Sequence, residues 1–136
     1  MIALAASVLI AALDVRDAHH AAAAALPETH ADRPFVIGPV NRAEILISPT
    51  RAGQLEEFVG ALTAMGVVEP SFPADASMRL AELRVATGQR IPDCCVLLTA
   101  QQSGAAVASF DGRLRSAARD LGLAVLPDDE DPGVEV

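Results

Sequence analysis

"MIALAASVLIAALD", residues 1–14, carries twelve uncharged residues between Met1 and Asp14, and the rest of the fold follows from how it is read. A secretory signal needs positive charge ahead of its apolar core, and no Lys or Arg precedes Arg16. A membrane span needs about 20 apolar residues, more than Ile2–Leu13 provides. The stretch therefore belongs to a folded domain, and the chain is expected in the cytoplasm with no membrane partner. Ile2–Leu4 reads as a short buried strand ending near Ala5, and it runs straight into a helix capped by Ser7.

A chain of 136 residues fits one domain, which we place at 1–126 with an acidic tail at 127–136. There is no Trp or Tyr, so the core must be built from Ala, Leu, Val and Ile. The formal charge of −8 opposes non-specific attraction to nucleic acid or anionic membrane. A nucleic-acid partner would need a local basic patch or a bound metal. All ten basic residues are arginines, which excludes chemistry that needs a Schiff-base or phosphate-binding lysine. Adjacent Cys94 and Cys95 have Cα atoms about 3.8 Å apart, closer than ordinary disulfide geometry, and read as two small buried side chains.

Working outward, Asp14 or Asp17 is placed to cap a helix through "AHHAAAAAL", which Pro27 stops. "FVIGPV" leads into a short helix, "NRAEILI", and "TRAGQLEEFVGALTAMG" reads as one longer helix ended by Gly66. "VVE" is a minimal strand, "ASMRLAELRVATG" a helix, and "IPDCCVLLTAQQSG" a helix with Pro92 in its first turn. "AAVASF" is a buried strand, "DGRLRSAARDLG" a helix and "LAVLP" the closing strand, before the acidic, turn-prone "DDEDPGVEV". Short apolar strands alternating with helices predict a three-layer α/β/α domain around a short parallel sheet of four to five strands.

Ligands of such sheets bind outside the carboxyl ends of the strands. Asp111 directly follows "AVASF", where on spacing alone a helix cap is the stronger reading. Asp93 sits in a first helical turn, which the helix dipole favours for any acid. Glu44 interrupts the apolar face of "VNRAEILI" in a segment expected to be buried, where a carboxylate needs a metal or an Arg partner. His19 and His20 read as partner or surface residues, and His30 carries no signal.

Taken in order, "SVLIAALD", "DAHH", "PVNRAEIL", "IPDCCVLLTA" and "ASFDGRL" resemble the motifs of PIN-domain ribonucleases, most closely the VapC toxins of toxin–antitoxin pairs, from Met1 to about Leu126. The resemblance puts four acidic positions at Ala5, Glu44, Asp93 and Asp111, and Ser7 at the hydroxyl residue that orients the first acid or a water. Three acids match, and Ala5 stands where Asp is expected. With the surrounding motif intact, this favours an engineered Asp→Ala change over natural decay. The resemblance implies Mg²⁺- or Mn²⁺-dependent hydrolysis of an RNA phosphodiester, impaired here by Ala5. Position 5, Asp93 and Asp111 would hold the metal, and Glu44 would complete the cage directly or through water. RNA phosphates would fall to Arg16, Arg42 or Arg113, with Arg33, Arg51 and Arg115 as further candidates. A cognate antitoxin and a second copy of the chain are the implied protein partners.

Two other classes compete. A response-regulator receiver also gathers acids at strand ends, but it needs a lysine that this chain lacks. A non-catalytic antitoxin-binding module accommodates Ala5 without further assumptions.

Overall fold

A computed structural model describes residues 1–128. The acidic tail lies outside the described residues from 129 onward. The described elements, in chain order, are β1 (Ile2–Leu4), α1 (Ala6–Leu13), α2 (His20–Thr29), β2 (Phe35–Val36), α3 (Pro39–Arg51), α4 (Leu55–Ala64), β3 (Val67–Val68), α5 (Ala76–Thr87), α6 (Ile91–Ser103), β4 (Ala106–Ala108), α7 (Gly112–Asp120) and β5 (Val125–Leu126). The strands form one parallel sheet in the order β3-β2-β1-β4-β5. β1 and β4 are buried at every residue, as expected of central strands covered by helices on both faces. The core is aliphatic apart from Phe110, and Cys94 and Cys95 are free thiols buried within it.

From β1 the chain steps outward through β2 to β3, then crosses to the other side of β1 to lay down β4 and β5. The order therefore reverses between β1 and β4, and open α/β sheets leave a crevice at the carboxyl ends of strands at such a point. Ala5 follows β1 there and Asp111 follows β4. Their strands are joined in register, with Leu4 opposite Ala108, and the Ala5 N–H donates to the Ala108 carbonyl at 3.1 Å.

Several local boundaries differ from those read in the sequence. The segment "FVIGPV" contains a strand, β2, too short to show a period of its own and formed by pairing with β1 and β3. The expected helix from Thr50 to Gly66 is two helices, because Gly53 turns the chain at φ +69. Pro27 lies inside α2 rather than ending it, and α3 runs from Pro39 through Pro49 to Arg51, longer at both ends than "NRAEILI". The N-cap of α1 is Ala5, not Ser7, and it makes no side-chain cap bond. Asp17 receives the His19 N–H at 2.8 Å, one turn ahead of α2, whose own cap position is His19.

One close approach sets up the crevice wall. Gly38 caps α3, and a Cβ there would meet Thr99 Oγ1 of α6 at 2.5 Å. Only glycine lets the start of α3 lie this near α6, and so brings Asn41 and Glu44 towards the first turn of α6.

Candidate active site

Ala5, Ser7, Asn41, Glu44, Asp93 and Asp111 face a common cleft of about 300 Å³. The three carboxylates come from three elements: Glu44 from α3, Asp93 from the first turn of α6, and Asp111 from the turn between β4 and α7. Ser7 is exposed at the cleft.

Asp111 is both the helix cap expected from its spacing and part of the cleft. Its Oδ1 accepts the backbone N–H of Arg113 at 2.9 Å and of Leu114 at 3.4 Å. The carboxylate is thereby fixed at the N-terminus of α7, where the helix dipole favours its charge. The turn before it is also braced: Ser109 Oγ accepts the Asp111 N–H at 3.0 Å, and the buried Arg115 donates to the Ser109 carbonyl at 2.8 Å and to the Pro127 carbonyl at 2.7 Å.

Glu44 is exposed rather than buried, because its face of α3 opens onto the cleft. The Asn41 amide donates to its Oε1 at 3.2 Å. Asp93 is half-buried, with the Arg90 Nε 3.8 Å from its Oδ2. Burial pushes its carboxyl above the ordinary value; Arg90 opposes that shift, while Asp111 and Glu44 add to it. Burial likewise pushes the neighbouring Cys95 thiol up to about 11, so it is neutral and unreactive at pH 7.

The Asp93 shift has a measurable consequence. The folded chain holds this proton more tightly than the unfolded chain does. That stabilisation is complete below 3.8 and is lost as pH rises through the raised folded value. In metal-free buffer Asp93→Asn should flatten the decline of Tm across that window, from 3.8 up to the raised folded value. Parallel Tm–pH profiles for the two proteins would contradict this electrostatic picture.

The arginines separate by environment. Arg16 is 89% exposed in its side chain and beside Asp14, whereas Arg42 is only 15% exposed and pairs with Glu69 at 3.4 Å. Arg33 reaches the Met1 carbonyl at 3.3 Å, and Arg51 is exposed at the end of α3. Arg115 is buried in the brace behind Asp111. Arg113 is exposed one residue into α7. Arg90, not singled out in the sequence, lines the acidic cleft with an 85% exposed side chain. Its place at the cap of α6, three residues before Asp93, was the signal available. Asn41 was missed as well, although it stands one helical turn before Glu44.

Oxygen donors of this kind suit hard divalent cations, and Mg²⁺ is usually held by one or two carboxylates with the remainder water. Among the described residues, no three His, Cys, Asp or Glu stand together as a group that could hold a metal ion. The donors match such an ion in kind, and the wall formed by Ala5 supplies none.

The sequence family described as the PIN domain matches residues 2–120, and the chain belongs to that family. No curated protein matches the sequence as a relative. Among solved structures, a toxin–antitoxin complex from Klebsiella pneumoniae is similar at TM-score 0.66 and 17% identity, covering 100% of this chain and 97% of that one. VapC20 of Mycobacterium tuberculosis, described as a sarcin-ricin loop cleaving toxin, aligns at TM-score 0.67 and 17% identity over 86% of this chain and 95% of its own. FitAcB from Neisseria gonorrhoeae aligns at TM-score 0.69 and 17% identity over 93% and 97%. At that identity the likeness is one of fold. No helix among the described residues is long and apolar enough to cross a membrane.

Proposed function

We propose that the cleft is the centre of a VapC-like endoribonuclease toxin, weakened in this chain by Ala5. The observation that carries this reading is the convergence of Glu44, Asp93 and Asp111 from three elements at the sheet reversal of a PIN domain. Position 5, Asp93 and Asp111 would hold Mg²⁺ or Mn²⁺, with Glu44 acting directly or through water. The bound ion would supply Lewis acidity, making water a better nucleophile and offsetting charge on the phosphodiester. The chain's own residues do the positioning. Asp111 is locked by the α7 cap, Ser7 offers a hydroxyl to orient water, and Arg90, which lines the cleft, is placed to meet RNA phosphate, with Arg113 exposed at the start of α7 as a further candidate. A cellular RNA substrate fits a cytoplasmic protein, and homodimerisation is part of the same reading.

Growth tests this directly. Induced in bacteria without antitoxin, Ala5→Asp should arrest growth, while the chain as it stands and Ala5→Asp combined with Asp111→Asn should not. Normal growth of cells making folded Ala5→Asp would count against the toxin reading.

A basic segment of a cognate antitoxin is the partner the acidic cleft fits, and the charge of −8 would steer it. Its association should slow as salt is raised, since screening shortens the reach of the field. Association rates that ignore salt in stopped-flow would remove electrostatic steering. The uncharged Ala5 favours a second reading, a non-catalytic antitoxin-binding module. That reading predicts tight antitoxin binding with no gain of cleavage in Ala5→Asp.

A further inference from the structure

Asn41 is 2% exposed and lies one turn before Glu44 on α3. Its Nδ2 donates to Glu44 Oε1 at 3.2 Å and to the Pro92 carbonyl at 3.0 Å. Pro92 immediately precedes Asp93, so one amide touches one cleft acid and the backbone that carries another. Those two acceptors also fix the orientation of the amide, because with its oxygen turned towards them both contacts would be repulsive.

This bridge leaves a polar atom stranded. With Nδ2 facing its acceptors, Oδ1 is buried with no hydrogen-bond partner among the described residues. Buried acceptors without partners are rare, and each calls for a reason. A leucine at this position would fill similar space with no stranded atom, and the close approach of α3 to α6 is already provided by Gly38 against Thr99. Asp93 also feels the negative charge of Glu44, so the two acids push each other apart. A neutral donor fixed to both sides opposes that drift.

We propose that Asn41 is a positioning residue of the carboxylate cleft, its amide tying Glu44 to the first turn of α6 so that Glu44 is held on the Asp93 side of the cleft. The inference rests on the metal-dependent reading of the cleft. Mn²⁺ affinity, followed by electron paramagnetic resonance, and metal-free thermal unfolding are measured on Ala5→Asp with and without Asn41→Leu. Asn41→Leu should weaken Mn²⁺ at least tenfold while the metal-free Tm stays level or rises, a combination that a purely structural role would not give. The loss should fail to add to that of Glu44→Gln, which shares the bridge, and should add to that of Asp111→Asn, which is held by α7. Asn41→Ser, too short to reach both acceptors, should lose Mn²⁺ affinity in the same way and serves if the leucine variant does not fold. Affinity within twofold of the parent in a folded Asn41 variant overturns the proposal, as does full additivity with Glu44→Gln. Absence of Mn²⁺ binding in every form, Ala5→Asp included, overturns the metal reading and the proposal with it. That pattern is distinct from a loss confined to Asn41 variants.

Discussion

Ala5→Asp is expected to raise Mg²⁺- or Mn²⁺-dependent cleavage of total bacterial RNA by at least about 100-fold over the chain as it stands, and chelator should abolish the gain. The backbone is ready for the substitution. Ala5 occupies the N-cap of α1 in an extended conformation, with φ −70 and ψ 147 and no side-chain bond to the helix. Asp is among the preferred residues at that position, because its carboxylate accepts one of the free N–H groups of the first turn. Such a cap contributes about 0.5–2 kcal/mol relative to Ala. Here it would also add a fourth carboxylate to the cleft that Ala5 shares with Glu44, Asp93 and Asp111. Repulsion should offset the cap until a cation binds. Metal-free Tm should therefore change little, while Mg²⁺ or Mn²⁺ should raise the Tm of Ala5→Asp more than that of the parent. A folded Ala5→Asp no more active than the parent at saturating metal would remove the nuclease assignment and leave the binding module.

The largest expected effect on stability comes from α6. Its residues from Cys94 to Ala100 are buried without interruption, the pattern of a helix enclosed on every side. Leu98 is 0% exposed within it. Leu98→Ala should cost about 3 kcal/mol, combining lost transfer energy with the cavity left behind. For a domain of this size Tm should fall by about 10 °C. Because α6 carries Asp93 in its first turn, the same loosening should weaken cation binding in an Ala5→Asp background. A Tm within about 2 °C of the parent would show that neighbouring side chains collapse into the space.

The parts of this fold that were legible in the sequence are those whose signal is local. β1 and β4 are uninterrupted apolar runs, β1 leads straight to a helix start, and Asp111 closes the short Ser109-Phe110 turn after β4, so strand, turn and acid could be read together. β2 could not be read that way. Phe35–Val36 lies between Pro34 and the Gly38-Pro39 helix start, and only its neighbours β1 and β3 make it a strand. The break between α3 and α4 did carry a local cue in Gly53, but the recurring apolar residues on both sides obscured it. Glu44 was singled out for burial, and it is instead exposed at the cleft. The helical spacing of its neighbours indicated the correct face without indicating that a cleft opens there. The Asn41 contact with Pro92 joins residues 51 apart in the chain, a distance over which periodicity carries no information.

The most direct test of the central claim is anomalous diffraction at the manganese edge from crystals of Ala5→Asp grown with Mn²⁺. A single peak among position 5, Asp93 and Asp111, with Glu44 at its margin, is the expected result. A peak elsewhere on the molecule, or none in well-ordered crystals at saturating Mn²⁺, would contradict the assignment of this cleft as a metal-dependent nuclease centre.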